Sequence, residues 1–284
     1  MRYTRIHAAT ELRRQTTGKE TTLAESRTFS AADFIGLLAA AALIVVYSLR
    51  HAYELLAQRQ NLWLSLGITV AFALLAWLAR GVNWSGALSG SAIAFVLASR
   101  DLRMFWALLI VFVLTLAATL VGRSRKQQLR TAESSRGRSA SQVMANLGIA
   151  GLIVAMAPHA WALLALAALA EAAADTSSSE IGMAFPGNTV LLTSWRLVSP
   201  GVDGGVSLRG TLAAVAAAGA ISAAAALMKL LGGSHALAIV YAGVLGSLVD
   251  SLIGALLERR GFLNNDLVNL LSTAAAVGIA RALV

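Results

Sequence analysis

Long, nearly uninterrupted apolar stretches are the feature that most constrains what this chain can fold into. Hydrophobic residues make up 57% of the 284 residues and charged residues only 13%, against about 25% charged residues in ordinary soluble domains. A stretch of about 20 apolar residues is long enough to cross the hydrocarbon core of a bilayer as a helix. The sequence therefore predicts an all-α protein, a polytopic membrane helix bundle.

Nine apolar segments are predicted to cross the membrane, and the short lengths of three of them allow a count between eight and ten. The nine segments are residues 31–49, 62–79, 82–98, 104–122, 142–157, 160–175, 210–231, 236–257 and 267–284. Residues 1–30 carry six basic and three acidic side chains and no apolar run, which predicts a polar N-terminal tail. Residues 31–79 are predicted to form peripheral transmembrane helices.

Lysine and arginine are distributed unevenly over the segments that connect these helices. With the N-terminus in the cytoplasm, 17 of the 23 basic residues fall on the cytoplasmic side and six on the opposite side. Because positive charge concentrates in cytoplasmic loops, the sequence predicts a multi-pass protein of the cell membrane with a cytoplasmic N-terminus. This topology explains the net charge of +9, so a nucleic-acid partner is not expected.

Four short polar patches interrupt the apolar pattern, each at the end of an apolar stretch. They cover residues 137–146, 171–182, 246–254 and 264–269. An ionisable group inside a bilayer costs roughly 2.5–3.5 kcal/mol, so residues of this kind are functional candidates. The predicted orientation places all four patches on the cytoplasmic side, which indicates one shared site that faces the cytoplasm.

Polar residues recur four positions apart within the patches, a spacing that places them on one face of a helix. The sets that share a face are Gln142 with Asn146, Glu171 with Asp175, Gly246 with Asp250 and Gly254, and Asn265 with Asn269 and Thr273. In the predicted loop between residues 175 and 210, glycines 201, 204 and 205 permit the positive φ angles that turn backbone N–H groups toward one point. Such a concavity suits phosphate oxygens.

The absence of cysteine from the sequence excludes disulfides and thiolate metal sites. A bound cation would therefore have oxygen ligands, and Mg²⁺ is the expected metal. The basic run at residues 123–138 has two interpretations. Its arginines would either neutralise a polyphosphate or form a loop that sets topology and contacts lipid headgroups.

Five motifs carry a resemblance to a known family. They read G-R-S-A-S-Q-V-M-A-N at 137–146, A-D-T-S-S-S-E-I-G at 174–182, G-G-V-S-L-R-G-T at 204–211, G-S-L-V-D-S-L-I-G-A at 246–255 and L-N-N-D-L-V-N at 263–269. In this order they resemble the integral membrane family that includes plant and cyanobacterial phytyl-phosphate kinase and an animal transmembrane relative. The resemblance covers about residues 80–284 and implies that this part is a catalytic domain. It implies a CTP-dependent kinase that converts an isoprenyl monophosphate into the diphosphate.

The resemblance also implies roles for the residues of these motifs. Metal binding is expected of Asp175, Glu180, Asp250 and Asp266, and catalysis of Asp175, Glu180, Asp250 and the phosphate-binding Arg138. Nucleotide binding and orientation are expected of Asn146, Ser178, Gly204, Gly205, Ser207, Asn265 and Asn269. The expected cofactors are Mg²⁺ and CTP, or another nucleoside triphosphate, as the phosphate donor. The lipid acceptor is already a phosphate, so its oxygen is nucleophilic at neutral pH and needs no dedicated general base.

A membrane transporter or flippase for a lipid or anionic substrate is the alternative function, because intramembrane carboxylates and asparagines also mark substrate pathways. A transport function would require polar groups that continue to the opposite membrane face, whereas the outer halves of these segments are alanine, leucine and valine. Two structural roles are also open. Asp250 could pair with an arginine, and Asn146 and Asn269 could be interhelical hydrogen-bonding residues. Assembly into a homo-oligomer is left open as well.

Overall fold

The computed structural model describes residues 30–57, 59–132, 136–157, 159–185 and 187–284, without the side chains of 55–61. Most of this described part is helical, which confirms the predicted fold class at that level. Of the predicted polar tail at residues 1–30, residues 1–29 lie outside the described residues.

Eleven α-helices follow one another in the described part of the chain. They are α1 (Ala31–Arg50), α2 (Ala52–Ala57), α3 (Arg59–Leu78), α4 (Trp84–Arg100), α5 (Leu102–Leu120), α6 (Arg123–Gln128), α7 (Ala140–Met156), α8 (Trp161–Ala184), α9 (Leu208–Leu227), α10 (Ala236–Ile253) and α11 (Asn265–Ala282). A 3₁₀ turn at Gly233–His235 precedes α10, and a π-helical turn at Gly254–Glu258 follows it.

Each of the nine predicted apolar segments overlaps one long helix, with bounds that differ by a few residues or more. These helices are α1, α3, α4, α5, α7, α8, α9, α10 and α11. Four helices of the described residues are long and apolar enough to cross a membrane, by length and composition: α1, α5, α9 and the continuous helical stretch Gly233–Glu258. The short helices α2 and α6 were not predicted. A count of nine crossings stays a prediction.

Helix α8 corrects one boundary of the sequence analysis. The predicted segment ended at position 175 and left the following polar residues in a loop, whereas α8 continues to Ala184. Serine can stay helical when its hydroxyl bonds a carbonyl of the preceding turn, and Ser179 Oγ donates to the Thr176 carbonyl at 3.2 Å. The polar patch therefore forms the last turns of α8 and is not part of a loop.

The same helix is the centre of the bundle. Residues 165–174 of α8 are all buried, seven of them alanines, and α8 packs against α5, α7, α9, α10 and α11. Small residues allow helix backbones to approach closely. A Cβ added to Gly243 of α10 would lie 3.0 Å from the Ala170 carbonyl carbon, so the glycine is what permits this contact. The alanine-rich run therefore holds the site-bearing helices at short distances.

Polar side chains at the helix starts fix where the helices begin. The side chain of Asn83 accepts from the Gly86 N–H at 2.8 Å, and that of Asn264 accepts from the Leu267 N–H at 3.0 Å. Ser139 and Gln142 form a capping box at the start of α7. Each cap satisfies a backbone donor that the first helical turn leaves unpaired.

The connection between α8 and α9 forms a small antiparallel sheet. Its strands are β1 (Thr189–Leu191), β2 (Leu197–Val198) and β3 (Gly205–Ser207), in the order β2-β1-β3. Thr189 pairs with both Val198 and Ser207, which places β1 in the middle. Strand β3 leads directly into α9, so the sheet covers the end of the bundle where α8 and α10 finish.

Candidate active site

A polar cavity of about 380 Å³ lies at one end of the bundle, where α7 and α11 begin and α8 and α10 end. Eleven of the twelve residues expected to form the site line it: Arg138, Asn146, Asp175, Ser178, Glu180, Gly204, Gly205, Ser207, Asp250, Asn265 and Asn269. Asp266 is the exception, since it lies at the start of α11 but is not part of the cavity wall. The structure thus brings together residues from separate segments.

Two carboxylates face this cavity from neighbouring helices. Ser247 Oγ donates to Asp175 Oδ1 at 3.4 Å, and Ser272 Oγ donates to Asp250 Oδ2 at 3.2 Å. Neither carboxylate forms a salt bridge with another residue in the described part of the chain. Their charges repel each other. A cation between them would relieve this repulsion, because like charges in a poorly solvated site destabilise each other.

A third carboxylate, Glu171, lies one turn deeper in α8. It is 1% exposed and does not line the polar cavity. Thr273 Oγ1 donates to Glu171 Oε2 at 2.7 Å, while Oε1 has no hydrogen-bond partner among the described residues. Gly246 of α10 packs on the Glu171 side chain, where an added Cβ would be 2.5 Å from Cγ. Glu171 therefore lies beneath the cavity without reaching into it.

Arg138 contributes the positive charge of this site. Its backbone is held by two hydrogen bonds to the preceding loop, from its N–H to the Gly81 carbonyl at 3.0 Å and from the Asn83 N–H to its carbonyl at 2.9 Å. Its Nη2 donates to Thr176 Oγ1 at 3.4 Å, and its charge interacts with that of Asp175. The guanidinium is therefore fixed at the cavity wall next to a carboxylate, and its remaining donors suit phosphate oxygens.

The glycine-rich loop has the predicted backbone conformation at two of its three glycines. Gly201 and Gly204 have φ angles of +88° and +76°. Gly204 lies against the end of α10, where an added Cβ would be 2.6 Å from the Ser251 carbonyl oxygen and would also collide with Ala255. Gly205 does not have a positive φ, and its N–H already donates to the Val202 carbonyl at 2.8 Å. Phosphate binding by the Gly205 N–H would need that bond to open.

The remaining polar residues of the wall hold local structure as well. Ser207 Oγ caps α9 by accepting from the Gly210 N–H at 3.1 Å, and Asn146 Nδ2 donates to the Gln142 carbonyl at 2.9 Å. Asn269 is largely buried, and its backbone carbonyl oxygen lies 2.7 Å from Thr273 Oγ1. The bonds of Ser207 and Asn146 fix these two side chains at the cavity wall.

Glu180 has a partner that the sequence did not predict. Its Oε2 lies 2.5 Å from Lys126 Nζ, and both side chains are buried. Lys126 Nζ also donates to the Ala118 and Thr119 carbonyls at 3.0 and 2.7 Å. The carboxylate thus belongs to a hydrogen-bonded ion pair in the cavity wall, and metal binding by Glu180 would compete with Lys126.

Two acidic residues of the cavity were not among the predicted site residues. Glu258 lies on the π-helical turn and Asp203 precedes Gly204, and both side chains belong to residues of the cavity wall. The sequence held a signal for Glu258, because it continues the four-residue spacing of Asp250 and Gly254. π-Helical turns occur often at functional sites.

The oxygen-rich wall fits Mg²⁺ that is shared with a phosphate better than a metal held by protein alone. The described residues contain no group of three or more histidine, cysteine, aspartate or glutamate side chains arranged to hold an ion. Mg²⁺ commonly uses one or two carboxylates and completes its octahedron with phosphate oxygens and water. Asp175 and Asp250, neither of which forms a salt bridge with a described residue, match that donor set.

Comparisons with known proteins place the chain among integral membrane proteins. The family described as integral membrane protein DUF92 matches residues 67–277. An uncharacterised membrane protein of Methanocaldococcus jannaschii is 33% identical over 219 residues, 75% of this chain and 90% of the relative. The chloroplastic protein VTE6 of Arabidopsis thaliana is 30% identical over 202 residues, 65% of this chain and 61% of the relative. An uncharacterised membrane protein of Synechocystis is 29% identical over 187 residues, 63% of this chain and 72% of the relative. No solved structure matches at a significant level.

Proposed function

The chain belongs to the DUF92 family of integral membrane proteins, and we propose that it is an isoprenyl-phosphate kinase that uses CTP or another nucleoside triphosphate as donor. The observation that carries the proposal is the meeting of Asp175, Asp250, Arg138 and the glycine-rich loop in one polar cavity. Carboxylates for a metal and an arginine for phosphate are the parts that phosphoryl transfer requires. The motif resemblance to phytyl-phosphate kinase supports an isoprenoid acceptor.

The reaction moves one phosphoryl group. An oxygen of the isoprenyl monophosphate forms a bond to the terminal phosphorus of the donor, and the bond from that phosphorus to its bridging oxygen breaks. The electron pair leaves with the nucleoside diphosphate. Because the attacking oxygen is already ionised, the protein needs only to position the two phosphates and neutralise their charge.

Each side chain of the cavity has a proposed part in this positioning. Asp175 and Asp250 would hold Mg²⁺, which neutralises charge on the donor phosphates when it is bound. Arg138 would hold the acceptor phosphate, since its guanidinium is anchored at the wall beside Thr176. The turn around Gly204 would contact the donor phosphates through backbone N–H groups.

The location of the cavity supports an enzyme over a transporter. The α-helical residues that line it belong to the first seven residues of α7, the last ten of α8, the end of α10 and the start of α11, and the other lining residues lie in the loops and turns next to these helix ends and in the small sheet. All of these lie at one end of the bundle, whereas a transport pathway continues to the opposite face. We propose that the chain crosses the membrane nine times, on the basis of its nine apolar segments. The distribution of basic residues places this end of the bundle on the cytoplasmic side of the cell membrane.

The test is a transfer assay with purified protein. Labelled CTP, ATP, GTP and UTP are each offered with isoprenyl monophosphates and with the free alcohols, with and without Mg²⁺. The expected product is an isoprenyl diphosphate that forms from the monophosphate only when Mg²⁺ is present. Failure to transfer phosphate from any nucleotide, together with flux of a lipid phosphate in proteoliposomes, would replace the kinase by a transporter.

A further inference from the structure

A second cavity, an apolar groove, runs beside the polar cavity. Helices α3, α4, α5 and α7 form its walls, which include Phe72, Ala76, Gly90, Leu108, Phe112 and Leu147. Helix α3 is held over the groove by aromatic contacts, since the Phe72 ring meets the Phe105 and Phe112 rings edge-on at 5.5 and 5.3 Å. The groove is therefore a built feature of the fold whose lining is predominantly apolar.

The groove and the polar cavity are neighbours that share part of their walls. Arg138, Gln142 and Asn146 line both of them. Two more arginines, Arg80 and Arg123, line the groove near the same end, where α3 and α5 finish. An apolar channel thus ends in three cationic side chains at the entrance to the proposed phosphoryl-transfer site, which complements an amphiphile with an anionic head.

The length of the groove favours a long hydrocarbon chain. Its lining residues on α5 run from Leu108 to Leu120. At 1.5 Å per residue this stretch is about 18 Å along the helix, more than half of the roughly 30 Å hydrocarbon core of a bilayer. Leu120 is 53% exposed, so the groove also reaches the surface of the protein.

From this shared wall, the charge at the end of the groove and its length, we infer that the groove binds the isoprenoid tail of the monophosphate acceptor and places its phosphate against Arg138. The inference rests on the proposed function and specifies how the acceptor is selected. The enzyme would select a long, linear isoprenyl monophosphate, because a short tail leaves most of the apolar wall without contacts.

Gly90 of α4 is part of the groove wall. A Cβ added there would meet only Val143 Cγ1, at 3.8 Å, which is ordinary van der Waals contact. A leucine at this position would therefore be accepted by the helix and would extend into the groove. Gly278 of α11 provides the matched control, since an added Cβ there meets nothing within 4 Å and the residue does not line either cavity.

Photolabelling tests the groove without requiring catalysis. The probe is geranylgeranyl monophosphate with a diazirine at the distal end of its tail, added to the full chain in phosphatidylcholine nanodiscs. We expect labelled peptides from α3, α4 and α5, competition by unlabelled geranylgeranyl monophosphate but not by geranylgeraniol, and labelling in Gly90→Leu reduced about tenfold or more. Gly278→Leu should label like the wild type. Labelling that the unlabelled monophosphate does not displace, or that Gly90→Leu leaves unchanged, would overturn the inference, because the label would then report nonspecific contact with the probe dissolved in the bilayer.

Kinetics provide a second, independent arm. Gly90→Leu should raise KM for geranylgeranyl monophosphate about tenfold or more, whereas Gly278→Leu should keep the wild-type KM. An equal KM in the two variants would contradict a tail-binding role. A wild type that transfers no phosphate would refute the proposed function, whereas the photolabelling would still decide whether the groove binds the tail.

Discussion

The carboxylates around the cavity differ in what compensates their charge. Asp175 and Asp250 accept hydrogen bonds from serine hydroxyls, and no described lysine or arginine forms a salt bridge with either. Glu180 instead has Lys126 at 2.5 Å. A buried carboxylate without a cation is costly unless a ligand supplies one. This difference separates the proposed metal ligands from a residue that holds the wall.

Replacement of Asp175 or Asp250 by asparagine should remove phosphoryl transfer and preserve the fold. Asparagine keeps the shape of the side chain, but its neutral amide is a poor substitute for a carboxylate that holds Mg²⁺. We expect a loss of transfer of about 100-fold or more and a smaller loss in Asn269→Ala. Activity is compared with thermal unfolding of each detergent-solubilised variant. Full activity in Asp250→Asn would disprove its metal role.

The Lys126–Glu180 pair gives a prediction that distinguishes a structural role from metal binding. Glu180→Gln leaves a buried lysine without its counter-ion, which should destabilise the protein by about 3–5 kcal/mol. The double variant Lys126→Met/Glu180→Leu removes both charges and should recover most of that stability. If Glu180 only supports the wall, the double variant also recovers transfer. Restored thermal stability without transfer would instead assign Glu180 to the reaction, as the sequence analysis expected.

Among the structural elements, the loop that precedes β3 and the π-helical turn after α10 depend on each other. Gly204 has a φ of +76° and packs on Ser251 and Ala255 without room for a Cβ. The turn after α10 carries Glu258 into the cavity wall. Contact between these two elements therefore determines where the backbone of the glycine-rich loop lies relative to Asp250.

Alanine at position 204 should move this loop away from α10 and reduce transfer. The substitution adds strain of roughly 1–3 kcal/mol at a left-handed residue and a steric collision. Gly261→Ala is the control, since Gly261 has a φ of +74° but an added Cβ meets nothing within 4 Å. Both variants should lose some thermal stability, whereas only Gly204→Ala should raise KM for the nucleotide. Equal nucleotide KM values in the two variants would show that the contact with α10 is unimportant.

The described part of the molecule combines an apolar outer surface with the polar cavity at one end of the bundle, which we call the polar end. Large hydrophobic side chains are exposed along the outer helices, as at Ile35 (65%), Leu75 (63%) and Leu212 (59%). Exposed apolar surface of this extent is expected for a protein that lipid surrounds. The cavity, the small sheet and the ends of α8 and α10 lie together at the polar end.

Because the chain has no cysteine, single introduced cysteines can report its orientation. We expect a cysteine at Asp203 to react with a membrane-impermeant maleimide only after the cells are opened. A cysteine at Ser234, in the turn at the opposite end of the bundle, should react in intact cells. The basic residues motivate this orientation. Labelling of position 203 in intact cells would reverse the assigned topology.

The sequence by itself determined the membrane class, the positions of the long helices and most of the cavity wall. Apolar length and four-residue spacing are local properties that survive in any packing of the helices, so Asp175, Asp250 and Asn269 could be assigned to helix faces in advance. The resemblance of the ordered motifs to a known family added the expectation that these helix faces belong to one site.

Only the tertiary structure decided which charges remain available and where a lipid tail could lie. Lys126 and Glu180 are 54 residues apart, and no local pattern shows that packing would bury them together. The same holds for Glu171, which helical spacing groups with Asp175 but which the approach of Gly246 covers below the cavity. The physical reason is that solvent access and counter-ions depend on contacts between distant segments, whereas helix formation depends on neighbours along the chain.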